Sequence, residues 1–414
     1  MLTAIIGAYT LYVLIKIYVS VMQIGYVNKV KRQDAILMGA ADYLKAGNYA
    51  VAKEKLAMVS TMVDFVIFLA WMRFGIAALQ DNFLLYDADM SAVLTVLAFL
   101  LINGVISLPF DYYEKFVLDA KFDFNRSSLG LYIKDTLIST LLTIVFGALI
   151  VWVVYLIISS TALWWLWSFL FLFGMIVLLN MFFPTLRALF FDKLSPLEDE
   201  SLSEKIKELM DKTGFQSSGV FISDASKRDA RLNAYFGGLG KTKRVVLYDT
   251  LLQKLTAQEL LAVLGHELGH FQHGDIYKNM ALMGGMLFSM FALFGNLPDS
   301  LYMEIGVQKS PANMMILFML TMPLLSFVMM PIMGIMSRHN EFAADQTGAD
   351  LGGKLYLSEA LKKLVTENKS FPLSHPLYRF FYYTHPPVTE RLKELGVDLK
   401  ANDNGAEGTC PTID

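Results

Sequence analysis

One cysteine, Cys410, occurs in 414 residues, and it lies in a polar tail. That excludes a disulfide framework and any cysteine-ligated zinc finger. Charge is scarce: Asp, Glu, Lys and Arg make up 18% of the chain, against about 25% in soluble globular domains. The net charge of −3 leaves no basic field to hold nucleic acid. Histidine is rare, with six copies. No internal repeat is visible, and low complexity is confined to the tail from about Asn402, which composition predicts to be disordered. What fills the chain is apolar: 55% hydrophobic, with 30 Phe, 23 Met and 19 Tyr. Much of it must face lipid.

A bilayer-spanning helix needs about 20 mainly apolar residues. Seven stretches qualify, at roughly 3–25, 60–80, 91–108, 137–158, 161–183, 280–297 and 313–336. The first lacks a basic n-region and a small-residue cleavage site, so it reads as a span and not a cleavable signal. Lys29, Lys31, Arg32, Lys45, Lys53 and Lys55 follow span 1, and Lys115, Lys121, Arg126 and Lys134 follow span 3. The loop Asp81–Met90 has no Lys or Arg, and the loop after span 6 has Lys309 alone. The positive-inside rule then puts the N-terminus outside and the C-terminus inside. The predicted fold class is mainly α and multi-pass, divided into 1–183 (spans 1–5), 184–275 (polar), 276–336 (spans 6 and 7), 337–401 (polar) and a tail, 402–414. Both polar segments fall on the cytoplasmic side, because two spans separate them.

Within 184–275, Ser201 with Glu204 reads as a capping box opening a helix to about Lys212, closed by Gly214. Strand-like runs follow at Gly219–Ser223 and Arg244–Tyr248. Thr256 with Glu259 opens a second capped helix. Three charges fall inside spans. Lys16 is expected to snorkel, Asp64 to reach the interface, and Arg73 either to meet a neighbouring helix or to face water.

The second capped helix contains His266-Glu267-Leu268-Gly269-His270. Residues i and i+4 lie about 40° apart on a helix, so both imidazoles can reach one metal ion, with Glu267 beside them to hold a water. A catalytic zinc needs a third ligand and one open position. Ile276 stands where the extended motif would place a third histidine. The segment Ser337–Asp345 supplies a candidate instead. Glu341 and Asp345 share a helical face: Glu341 would complete a His₂Glu set, and Asp345 would accept the free N–H of a ligating histidine. His273 faces the site a turn further on and reads as a polar rim residue. His339 could ligate, but Glu341 has the better phase with Asp345. These ligands flank spans 6 and 7, so they can meet only if both ends emerge on one face, as the span count requires.

At this point the chain resembles the integral-membrane zinc metalloproteases of the CAAX prenyl protease type I family, over roughly 380 residues. The resemblance is carried by Leu108-Pro109-Phe110 through Phe124-Asn125, Leu129-Gly130-Leu131, Asn233-Ala234-Tyr235-Phe236, and Val263-Leu264-Gly265 with the H-E-L-G-H. It continues through Ser337-Arg338, Glu341-Phe342, Ala344-Asp345, Thr384-His385-Pro386 and Glu390-Arg391-Leu392. It implies seven long helices around a water-filled chamber, closed at one end by a zincin-like α+β metalloprotease domain. It implies one Zn²⁺ held by His266, His270 and Glu341, with Glu267 as catalytic acid/base. His385 and Arg391 would assist at the substrate carbonyl, and Asn233, Ala234, Tyr235 and Phe236 would hold peptide as an edge strand.

Departures from the family pattern are His375, where an acidic residue is usual, Phe381 in place of a histidine, and a tight Leu252–Thr256 linker. They favour a bacterial inner membrane over an endoplasmic reticulum membrane and leave prenylation of the substrate open. The partners implied are a peptide or protein substrate, lipidated or hydrophobic, and the lipid bilayer. A membrane-protein quality-control protease is the alternative substrate reading. A protease acting inside the bilayer would carry its H-E-x-x-H within a span, which this chain does not. A scaffold with structural zinc would not need Glu267.

Overall fold

The computed structural model describes residues 1–83, 86–238 and 243–397; the expected disordered tail lies outside them. Helices are α1 Leu2–Val30, α2 Ala40–Ala70, α3 Ile76–Asn82, α4 Ala88–Tyr112, α5 Leu129–Ser160, α6 Trp164–Phe190 and α7 Glu200–Thr213. They continue with α8 Asp249–Lys254, α9 Ala257–Gln272, α10 Asp275–Gly295, α11 Ser300–Ile305, α12 Pro311–Gly352, α13 Lys354–Glu367, α14 Pro376–Tyr382 and α15 Val388–Glu394. Strands are β1 Leu194–Pro196, β2 Val220–Ser223, β3 Ala234–Gly237 and β4 Arg244–Tyr248.

Among the described residues, seven helices are long and apolar enough to cross a membrane, matching the seven stretches read from hydropathy. Several are far longer than a span requires. α12 has 42 residues, about 60 Å at 1.5 Å per residue, or twice the hydrocarbon thickness. Its apolar two-thirds belong to the bundle, and its polar end carries Glu341 and Asp345 clear of it. α2 and α3 form another such rod through a π-helical stretch at Trp71–Gly75. A second π-helical stretch, Tyr113–Asp119, follows Pro109, whose missing N–H loosens the end of α4.

Tyr9, Phe68, Trp71, Met72, Phe99 and Leu317 anchor a core shared by α1, α2, α4 and α12. Between these helices lies a cavity of about 420 Å³ lined in part by Lys16, Asp64, Asn103, Ser107 and Asp111. Lys16 and Asp64 therefore turn inward and do not snorkel, because the bundle gives them a polar interior. Arg73 does not line this cavity; it sits exposed on the first π-helical stretch, with no ion pair among the described residues.

The polar segments fold together around a four-stranded sheet of order β1-β2-β4-β3. β2 and β4 run parallel, β3 runs antiparallel to β4, and Ala234 pairs with Leu247. β3 is an edge strand. The apolar face of α9 (Leu260, Leu264, Leu268) packs with Val245, Leu247, Leu251 and Ile206. Thr256 and Glu259 make the expected reciprocal capping box on α9. The expected Ser201–Glu204 box on α7 is not formed. The carboxylate of Asp199 caps that helix two residues earlier, accepting from the Leu202 N–H at 3.0 Å, and Gly214 closes it in a left-handed conformation.

Candidate active site

The face of α9 opposite its apolar stripe is nearly bare. Ala262, Gly265 and Gly269 lie against Ala344, Gly348 and Gly352 of α12. A Cβ on Gly348 would stand 2.9 Å from both Cβ and N of His266, and one on Gly269 would stand 3.0 Å from the Ala344 Cα. Backbone meets backbone here, and that close approach brings side chains from the two helices to one point. One donor atom each from His266, His270 and Glu341 lie within 4.8 Å of one another. His270 Nε2 is 3.2 Å from Glu341 Oε1, and His266 Nε2 is 3.6 Å from Glu341 Oε2.

The other ring nitrogens are engaged. His266 Nδ1 donates to Asp345 at 2.9 Å, the contact expected from the sequence, and His270 Nδ1 donates to Asp275 at 2.9 Å. A carboxylate only accepts, so in the neutral rings the proton sits on Nδ1 and both Nε2 lone pairs are left for the common centre. Asp275 was not foreseen. It lies five residues beyond His270, at the first position of α10, with its other oxygen held by Lys278 at 2.9 Å.

These residues fit a divalent cation on three counts. The donor set of two imidazoles and a carboxylate suits zinc. Glu341 Oε2 is buried without a hydrogen-bond partner. Four carboxylates (Glu267, Glu341, Asp345 and Asp275) face only two fixed cations, Arg391 and Lys278, and a dication would balance the surplus. Burial opposes a charge on His270, but the hydrogen bonds to Glu341 and Asp275 outweigh it and push its pKa up to about 9 in the metal-free centre.

Glu267 is half-buried beside this centre. His385 is exposed, its Nε2 3.1 Å from Glu341 Oε1 and its Nδ1 3.0 Å from the Thr384 hydroxyl. Arg338 of α12 donates to the carbonyls of Tyr383 and Arg379, tethering the segment that carries His385.

Arg391 is buried against the carboxylates of the centre. Its Nε and Nη2 donate to Asp345 at 2.7 and 2.5 Å, and Nη1 lies 3.4 Å from Glu341. Burial disfavours its charge, yet Asp345 keeps its pKa above the usual arginine value. Two of its nitrogens are thus taken up by Asp345, while Nη1 reaches Glu341 itself.

Ala234, Tyr235 and Phe236 fall in β3, with Asn233 exposed just before it and its carbonyl accepting from Tyr248 N at 3.1 Å. Phe236 packs on Phe215, and among the described residues β3 pairs with β4 alone. His273 and His339 are exposed and belong to no metal-binding group among the described residues. His375 caps α14, its Nδ1 accepting from Leu377 N at 3.2 Å. Phe381 stacks on Phe327 at 4.7 Å.

A membrane-embedded helical bundle carrying an H-E-x-x-H helix and a glutamate from a second helix defines a membrane metallopeptidase. Residues 196–397 match Peptidase family M48, and residues 29–193 match the CAAX prenyl protease N-terminal region of five membrane helices. A CAAX prenyl protease 1 homolog from Dictyostelium discoideum is 37% identical over 71% of this chain and 70% of its own length. One from Caenorhabditis elegans is 32% identical over 88% and 90%. The crystal structure of S. mikatae Ste24p superposes with a TM-score of 0.87 at 28% identity, covering 94% of this chain and 98% of that one. The chain belongs to the CAAX prenyl protease family of membrane zinc metalloendopeptidases.

Proposed function

We propose that the chain binds one zinc ion through His266, His270 and Glu341 and cleaves peptides that carry a lipid or a hydrophobic C-terminal segment. The observation that carries this reading is the convergence on one point of two Nε2 atoms and Glu341, whose buried Oε2 makes no hydrogen bond. When bound, zinc would act as a Lewis acid and lower the pKa of its water toward about 7. Glu267 takes the proton from the attacking water and returns it to the leaving amine. His385, exposed beside Glu341, donates to the oxygen of the scissile carbonyl as negative charge develops there. Arg391 is a positioning residue that holds Asp345, and through it His266. The peptide adds as a strand to the outer edge of β3, giving main-chain hydrogen bonds with little sequence demand.

The active site faces the cytoplasm, as the Lys and Arg rich segments after spans 1 and 3 support. A bacterial inner membrane is supported by the short Leu252–Thr256 linker; the alternative, the endoplasmic reticulum membrane, is supported by the eukaryotic origin of the relatives named above. The test uses a fluorogenic peptide and purified enzyme. Glu267→Gln should retain one zinc per chain and lose turnover, and wild-type cleavage should stop with chelator. Turnover retained in Glu267→Gln would refute the assignment.

A further inference from the structure

The five residues that lead into β3, Arg228 to Leu232, form no helix or strand, yet almost every polar group in them is tied to another part of the molecule. Arg228 donates to Asp135 of α5 at 2.8 and 3.1 Å and to Asp192 at 3.2 Å. Ala230 N donates to the Phe124 carbonyl at 2.9 Å. Arg231 Nη2 donates to the Tyr49 hydroxyl of α2 at 2.6 Å and to Asp119, the last residue of the second π-helical stretch, at 2.8 Å. Its Nη1 donates to Asp229 at 2.5 Å, and the guanidinium lies 4.1 Å from the Phe124 ring centroid. Tyr49 itself donates to Asp119 at 2.8 Å, closing a three-membered ring of bonds. The next residue, Leu232, exchanges both main-chain groups with the Asn368 side chain, at 2.8 and 3.1 Å. The next residue but one begins β3.

We propose that Arg231, held by Asp119 and Tyr49, is a positioning residue for substrate: it fixes the height and register of the peptide-binding edge strand relative to the membrane helices. The physical need is plain. A strand displaced along its axis by one residue presents the opposite faces of a paired peptide. β3 has only four residues and one paired side, so its own ladder gives weak control over that displacement. Arginine is the side chain suited to this duty, because its planar fork can hold two partners from separate helices at once. The bonds also run to the helices that surround the membrane cavity, so the strand that takes the peptide is indexed to the bundle as well as to its own sheet. The inference rests on the reading of β3 as the peptide strand.

The experiment measures peptide affinity in a zinc-loaded Glu267→Gln background, alongside kcat, KM, zinc content and melting temperature with active enzyme. Arg231→Ala and Asp119→Asn should each weaken peptide binding about tenfold, and combining them should add little, since both break one unit. Arg231→Lys should recover part of the loss. Tyr49→Phe removes a single hydroxyl and keeps the fold; it should weaken binding by about threefold. KM should carry these effects, with zinc content unchanged. A fall in melting temperature with peptide affinity unaltered, or no change in affinity in Tyr49→Phe, would overturn the inference, as would multiplicative effects in the double variant. A peptide methylated on its pairing amides tests strand addition separately. If it binds poorly while the Arg231 variants bind normally, the strand reading stands and this inference falls. If wild-type enzyme cleaves nothing, the protease reading falls instead.

Discussion

His266 and His270 each hand their second ring nitrogen to a carboxylate, and those carboxylates are held in turn by Arg391 and Lys278. Such supports orient the imidazoles before any cation arrives. Asp345→Asn and Asp275→Asn should each lower zinc affinity by about 10- to 100-fold, read by competition against a chelator, with Glu267 still in place. The raised pKa of His270 adds a pH dependence. Below about pH 9 the metal-free ring carries a proton that zinc must displace. Affinity should therefore climb as the pH rises toward about 9, and zinc uptake at pH 7 should release protons detectable by calorimetry in two buffers. For the metal-free fold the sign is opposite: the protonated ring stabilises it fully below about pH 6.5 and that contribution fades as the pH passes about 9. Asp345 was legible in the sequence because it shares a helical face with Glu341. Asp275 was not, because its partner lies across a helix break at Gly274, where wheel arithmetic no longer applies.

At the scale of elements, the contact between α9 and α12 decides whether the centre exists. Gly348→Ala puts a methyl 2.9 Å from the His266 backbone, and no flexible side-chain tip is there to yield. The helices must separate, so the variant should lose both zinc and turnover while far-ultraviolet circular dichroism keeps its helical signal. Hydropathy exposed the seven long helices because burial in lipid demands a crude, repeated signal. The small residues at 262, 265 and 269 and at 344, 348 and 352 send no such signal; their meaning depends on which helix lies opposite. The π-helical stretches were equally silent, since they arise from packing and from Pro109 more than from local pattern. The cap of α7 shows the remaining source of error: Ser201 had the right motif, but Asp199 offered a charged acceptor two residues earlier.

The whole molecule joins a bundle built for lipid to a sheet and helices built for chemistry, and the junction is stiff. One unbroken helix, α12, carries both the seventh span and Glu341. Arg228 and Arg231 tie the entrance of β3 to α5 and α2. The split into a membrane part and a polar part could be read from composition. The way the parts are fastened could not, because it depends on pairs such as Arg231 with Asp119 that lie 112 residues apart.

A rod that begins in oil and ends at a metal ligand makes the enzyme a gauge of its surroundings. A bilayer thinner or thicker than the bundle changes helix tilt, and α12 would carry that tilt undamped into the coordination sphere. Reconstituted into vesicles of graded acyl length, the protein should show turnover that peaks at one thickness while zinc content stays constant. A flat profile across that series would mean that Pro323 and Pro331, both within α12, absorb the strain as hinges before it reaches the catalytic end.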